Sequence, residues 1–205
     1  MEKIDLKKEL RTLYGAPIGG FVLVDVPPLA YLAIDGEGDP NTSPVYAAAI
    51  EALYTASYTL KFMSKAELGR DYVVPPLEGL WWADDMDDFI TRRKERWRWR
   101  MMIATPPFID QTIALRAVDK ARAKKPAAAL DRLGFVRLEE GMSAQTLHLG
   151  AYDDEGPILE TLHRRFLPEN GLTPTGRHHE IYLSDPRKTA AEKLRTILRQ
   201  PVAKA

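Results

Sequence analysis

The strongest constraint on the fold of this chain is an order of elements that occurs twice. Two β-favouring runs, Phe21 to Val26 and Ala30 to Ile34, are separated by Pro27-Pro28 and closed by Gly36 and Gly38. Pro44 then opens a helix that Asn41, Thr42 or Ser43 can cap, and apolar residues recur at three- and four-residue spacing through Met63. Beyond Pro75-Pro76, "LEGLWWAD" and "RWRWRMMIAT" read as returning strands, joined by a charged connector over residues 84 to 96. In the second half, "FVRLEEGMSAQTLHLGAY" reads as paired strands around a Gly141 turn, "GPILETLHRRFLPENG" as a helix and "HHEIYLSD" as a strand.

The expected fold class is therefore α+β, with a strand-helix-strand-strand module present over residues 21 to 104 and again over 135 to 184. Little identity links the halves, so the repeat is one of structure rather than of sequence. A helical connector, "FIDQTIALRAVDKARAKK" and a shorter helix from Pro126 to Gly134, lies between them. Residues 1 to 20 read as an N-terminal extension, a short helix or tail, ahead of one domain over 21 to 205. A C-terminal helix is expected after Thr189, which forms a capping box with Glu192.

Composition excludes several functions. Lys plus Arg and Asp plus Glu both total 29, so no net field draws the protein to nucleic acid or an anionic membrane. The one cation-aromatic run, "RRKERWRWR", is neutralised by Asp84, Asp85, Asp87, Asp88 and Glu95, which argues against direct nucleic-acid binding. Without cysteine there is no disulfide, thiol nucleophile or thiolate zinc site, which fits a cytoplasmic protein. No apolar run approaches the ~20 residues of a membrane span, and the N-terminus lacks a signal-peptide centre. "HHE" has no helical metal spacing, "GEGDPN" is no phosphate loop and no serine elbow occurs, so no metal or other cofactor is expected.

What remains is a carboxylate among aromatic residues. In a strand, His178, Glu180 and Tyr182 share one face, while His179, Ile181 and Leu183 share the other. Ile181 and Leu183 suit a helix-covered core, which assigns Glu180 to the opposite face; the plainer alternative is a half-exposed strand glutamate paired with a neighbouring base. All four tryptophans, Trp81, Trp82, Trp97 and Trp99, fall in one short interval, and each can be sheet packing or a ligand wall. On the long helix, Tyr46, Ile50, Tyr54, Tyr58 and Phe62 form one ridge beside the aliphatic stripe of Ala49, Leu53, Ala56, Leu60 and Met63. A carboxylate facing such rings attracts lipophilic cations.

The segments "YLAIDGEGDPN", "IEALYTASYTLKF", "PPLEGLWW", "WRWRMMIATPPF" and "HHEIYLSDPRKTAAEKLRTILRQPV" together resemble the GyrI-like small-molecule-binding domains over nearly the whole chain. The resemblance implies two strand-helix-strand-strand (SHS2) modules with pseudo-twofold symmetry about a ligand cleft. It also implies a hydrophobic aromatic or cationic small molecule as partner, with Glu180 as the pocket carboxylate. The tryptophan-rich stand-alone branch is similar to cyclopropanoid cyclopropyl hydrolases, which open the strained ring of DNA-alkylating compounds in an aromatic cage. On that likeness Glu180, Tyr58 and Tyr182 are the candidate catalytic residues. Tyr54, Trp81, Trp82, Trp97, Trp99 and His178 are the candidate ligand contacts. Two further readings stand beside hydrolysis: a sensor or sequestering protein without turnover, and a module acting on a protein partner, as in relatives that inhibit gyrase. The roughly twenty residues before the module are too few for a helix-turn-helix domain, which disfavours a regulator.

Overall fold

The computed structural model describes residues 3–85, 88 and 93–205, so part of the charged connector between Asp84 and Arg96 lies outside the described residues. In chain order the elements are β1 (Lys3–Ile4), α1 (Leu6–Glu9), β2 (Val22–Val26), β3 (Leu29–Glu37), α2 (Pro44–Met63), β4 (Asp71–Tyr72), β5 (Leu77–Trp82) and β6 (Arg98–Thr105). They continue with α3 (Gln111–Lys124), β7 (Gly134–Leu138), β8 (Gly141–Leu149), α4 (Gly156–Thr161), α5 (Leu167–Glu169), β9 (Leu172–Pro174), β10 (His178–Tyr182) and β11 (Arg195–Lys204). This is an α+β protein whose main sheet pairings are antiparallel. It divides into two compact units: the chain up to Glu9 with Leu29–Leu138, and Leu10–Pro28 with Glu139–Ala205.

Unit 1 runs β3, α2, β5, β6 in sequence and orders its strands β5-β6-β3-β7. Ser43 caps α2 by accepting the Tyr46 amide at 3.4 Å, and Pro44 occupies the first turn, where a missing N–H costs nothing. Small residues on the buried face of α2, Ala49, Ala52 and Ala56, let the helix approach the sheet closely, with Leu53, Leu60 and Met63 filling between them. Gly36, Trp99 and Trp81 lie side by side across β3, β6 and β5. A Cβ at Gly36 would overlap the six-membered ring of Trp99, so the glycine is what admits the indole.

Unit 2 repeats the order as β8, α4, β10, β11, with strands arranged β2-β8-β11-β10 and β9 paired to the end of β11. The helix of this unit is continued from α4 by a wide π-type turn over Leu162–Phe166 and then by α5. Leu162 and Leu167 bury against Ala144, Leu172 and Val202, with Phe21, Met142 and Phe166 packed around them.

Two expectations require correction. The C-terminal helix is the ten-residue strand β11, preceded only by a 3₁₀ turn over Ala191–Lys193, so Thr189 and Glu192 cap no helix. From Thr196 through Val202 every residue of β11 is buried, and such a two-sided strand carries no alternation to distinguish it from a helix; Pro201 also disfavours a helical interior. The neighbouring runs β7 and β8 do not pair as a hairpin around Gly141; β7 pairs with β3 and β8 with β2. Likewise Pro27-Pro28 joins β2 and β3 without pairing them, since two prolines offer neither the amides nor the positive φ of a tight hairpin turn. Each unit thus contains a strand from the other half of the sequence. The N-terminal residues, expected as a short helix or tail, include the short helix α1. β1 pairs with β4, Leu6 is buried, and Thr12, Leu13 and Gly15 supply backbone acceptors to unit 2 side chains.

Candidate functional site

β10 forms because His178–Tyr182 alternates between two buried environments, and its register against β11 sets Glu180 opposite Leu198 and Tyr182 opposite Thr196. β11 in turn sets Leu198 opposite Thr146 and Thr196 opposite His148 on β8. Glu180, Tyr182, Thr196 and His148 therefore share one face. That is also the face of Ala144 and Val202, on which the unit 2 helix rests. The expectation that Ile181 lies under the helix and Glu180 away from it is reversed. The Ile181 side faces Thr12, Leu13 and Gly15 instead, whose carbonyls accept from Gln145 and Arg199. Alternation identifies which side chains share a face, but not which face the helix covers.

On the helix-covered face Glu180 keeps only 13% of its side chain exposed. Tyr182 donates its hydroxyl to Glu180 Oε2 at 2.8 Å, and His178 Nε2 lies 3.4 Å from Glu180 Oε1. Neither ring nitrogen of His178 has a hydrogen-bond partner. Tyr152 sets its ring edge-on to Tyr182 at 5.6 Å between centroids, which fixes the phenol beneath it. His148 Nε2 meets Ala151 O at 2.9 Å, anchoring the turn that carries Tyr152. At the end of that turn Glu155, 5% exposed, precedes the first residue of α4. Burial pushes the Glu155 carboxyl well above the ordinary carboxylate range, and the Glu180 and Asp153 carboxylates push it further. Its Oε1 and the Thr196 hydroxyl are both buried without a well-formed hydrogen bond. Burial together with His178 lowers the His163 pKa.

The other face of the same strands carries a structural charge network. Arg199 donates to Gln145 Oε1 at 3.1 Å, Glu140 Oε2 at 3.2 Å and Leu13 O at 2.7 Å, while His179 Nδ1 lies 2.9 Å from Glu140 Oε1. Burial alone would raise the Glu140 carboxyl, but His179 and Arg199 overcome it and hold the group at about 2. Gln145 and Arg199 both donate to carbonyls of residues 12–15, so the network fastens the N-terminal segment.

The remaining candidates belong to unit 1. Tyr46 on α2 packs edge-on to Trp99 at 5.1 Å and lies 6.1 Å from Trp81, which meets Trp97 at 6.0 Å. Trp99 is 0% exposed and Trp81 is buried, whereas Trp82 and Trp97 are half-buried. Trp97 donates its indole N–H to Asp88 O at 3.1 Å. Tyr54 is half-buried on α2, and Tyr58 is 47% exposed one turn further along. The candidate residues thus fall into two groups: Glu180, Tyr182 and His178 in unit 2, and the tryptophans with Tyr54 and Tyr58 in unit 1.

Among the described residues there is no cluster of three or more His, Cys, Asp or Glu placed to hold a metal ion, and no helix long and apolar enough to cross a membrane. A family model described as the GyrI-like small molecule binding domain matches residues 21–203. The chain belongs to this GyrI-like family. The crystal structure of an uncharacterized conserved protein from Listeria innocua is 40% identical with a TM-score of 0.86, covering 98% of this chain and 100% of that one. A structure described as a hydrolase from Listeria innocua is 38% identical with a TM-score of 0.84 over the same shares of the two chains. The C-terminal domain of EcmrR, 14% identical, shares the fold alone at a TM-score of 0.58, covering 91% of this chain and 98% of that domain. Comparison with curated proteins gives no match. In this GyrI-like protein the sequence does not single out the buried Glu155 and Thr196. The one available signal is that Gly156-Pro157 opens a helix directly after Glu155, turning that residue toward the sheet.

Proposed function

We propose that this GyrI-like protein binds lipophilic aromatic or cationic compounds at the Glu180 face of unit 2 and hydrolyses those that carry an activated cyclopropane. The observation that carries this reading is a nearly buried carboxylate, held by the Tyr182 hydroxyl at 2.8 Å, with an imidazole nitrogen at 3.4 Å. Such a carboxylate attracts a cation, and it accepts a proton from water without losing its orientation. In the reaction, water attacks the less hindered cyclopropane carbon, and the strained carbon–carbon bond breaks. The released electron pair passes into the conjugated carbonyl, which gains a proton and becomes a phenol, while Glu180 takes the proton that water loses. Tyr182 holds the carboxylate in place throughout. The likeness to the Listeria innocua hydrolase, 38% identical to this protein, supports turnover over storage.

The test follows a spirocyclopropyl dienone by chromatography and mass spectrometry under single-turnover conditions. The expected product gains one water, and Glu180→Gln slows its appearance by roughly a hundredfold or more, the range of a positioned base. An unchanged rate in Glu180→Gln removes this residue from the chemistry. Binding without product, in the native protein, moves the reading to sequestration.

A further inference from the structure

We propose that unit 1 carries a small-molecule site of its own, on the sheet face that α2 leaves uncovered, where Arg132 and Arg100 take a small aromatic carboxylate. The site is independent of Glu180, which belongs to the other unit and suits a ligand of opposite charge. It originates in a mismatch of strand lengths. β7 begins at Gly134, opposite Ala33, whereas β3 runs on to Glu37. The backbone of β3 beyond Ala33 therefore lacks a β7 neighbour, and Arg132 stands in for one by donating Nη2 to the Asp35 carbonyl. The turn that carries it, Ala128–Arg132, is fixed by the buried Leu130 within it and the buried Leu133 just after it. Asp35 and Arg100 face each other across β3 and β6, and alternation sets them on the side away from Gly36, Trp99 and α2. There the Asp35 carboxylate accepts from Nε and Nη2 of Arg100 at 2.6 and 2.8 Å. Ala33, Gly134 and Val136 complete a cavity of about 200 Å³ that opens to solvent. A Cβ at Gly134 would meet no atom within 4 Å, so the glycine leaves the floor of the cavity clear.

The charges in this cavity do not cancel. Asp35 is matched by Arg100, and Asp131, next to Arg132 in sequence, pairs with Arg122 at 2.6 Å. Further along the same face Glu37 stands opposite Arg98. Arg132 meets no carboxylate among the described residues: it donates to a carbonyl, which leaves its Nε and Nη1 for a ligand. Nη1 of Arg100 is likewise left over, because Asp35 takes the Nε and Nη2 edge. A guanidinium holds a planar carboxylate by two parallel N–H···O bonds, and the Arg100–Asp35 pair is an instance of that geometry inside the cavity. A solvent-exposed ion pair alone is weak, so the ligand must add contact of another kind. Ala33 and Val136 supply an apolar lining, which favours a carboxylate on an aromatic ring over a bare oxyanion.

The experiment titrates the protein with benzoate and with benzamide, its neutral isostere, at constant ionic strength, following the arginine Nε–H signals by NMR and the heat by calorimetry. Benzoate should bind saturably, about tenfold or more tighter than benzamide, and should move the Arg132 signal. Arg132→Gln should weaken benzoate by about tenfold or more, and Arg132→Lys, which keeps the charge without the fork, should recover only part of the loss. Asp35→Asn should act in the opposite direction and tighten benzoate about threefold, because it removes the neighbouring negative charge and releases the second fork. Inorganic phosphate, which has no apolar body, should bind more weakly than benzoate. Phosphate that binds as tightly as benzoate overturns the assignment to an aromatic carboxylate. Benzoate that binds no better than benzamide, or equally well to Arg132→Gln, overturns the site itself and leaves the reading of Glu180 untouched.

Discussion

The two units order and pair their elements alike, yet they fill equivalent positions with opposite chemistry. In each, three neighbouring strands present a row of side chains beneath the start of a helix. In unit 1 the row is Gly36, Trp99 and Trp81, closed by the ring of Tyr46. In unit 2 it is His148, Thr196 and Tyr182, closed by Tyr152 and Glu155. One rung further along, Gly79 stands on β5 where Glu180 stands on β10. The absence of a side chain at Gly36 lets one indole occupy the whole space, so the row becomes packed core. In unit 2 an imidazole and two hydroxyls take the same places, and polar atoms in a confined space demand partners or a ligand. The comparison teaches that the frame does not specify a site; the side chains on one rung do.

The largest effect that can break this comparison lies in unit 1. If the Trp99 row is structural, Trp99→Ala should lower unfolding stability by about 3–5 kcal/mol, the cost of a large buried aromatic. Gly36→Ala should also destabilise strongly, because its methyl group overlaps the indole. Denaturant unfolding measures both. Native-like stability in Trp99→Ala, together with lost ligand binding, would make the unit 1 row a binding surface and remove the contrast.

A comparable effect belongs to the charge network on the reverse face of unit 2. Removing Glu140 leaves Arg199 buried without its anion, so Glu140→Ala should cost about 3–5 kcal/mol near neutral pH. The sign of the pH dependence follows from a folded value near 2 against an ordinary 4.5. Stability from this group is present above the ordinary value and lost as pH falls toward the folded one. The gap between native protein and Glu140→Ala should therefore narrow as acid is added. A gap that stays constant down to about pH 2 would show that Glu140 acts through packing alone.

How much of this was legible follows from the same physics. Period-3.6 spacing, with Ser43 and Pro44 at its start, defines α2, and the α+β class follows from the repeated order. Strand alternation correctly groups His178, Glu180 and Tyr182. It cannot reveal the helix-covered face, because unit 2 places polar side chains where a plain core would place Ile181 and Leu183. The end of the chain misleads for the opposite reason: β11 is buried on both faces, and its side chains carry no period-2 signal. Strand exchange is invisible as well, since β2 and β7 pair with strands far from their sequence neighbours. Glu155 and Thr196 acquire meaning only once β11 is known to lie between β8 and β10.

The smallest expected effect sharpens the comparison most. Tyr182→Phe removes one hydroxyl from the unit 2 row while leaving the ring that meets Tyr152 at 5.6 Å. Its stability cost should be about 0.5–1.5 kcal/mol, that of a single hydrogen bond, because Glu180 keeps enough exposure for water to replace the donor. The carboxylate also loses the donor that orients it, so N-methylacridinium, a permanent cation, should bind about fivefold more weakly by fluorescence. Trp81→Phe, on the corresponding rung of unit 1, should show the reverse pattern: a larger stability loss from vacated volume, and unchanged binding of the cation. Measured side by side, the two variants separate a row that binds from a row that packs. A Tyr182→Phe protein that loses as much stability as Trp81→Phe with an unmoved binding profile would place both rows in the core, and Glu180 would then be held by something other than the hydroxyl 2.8 Å away.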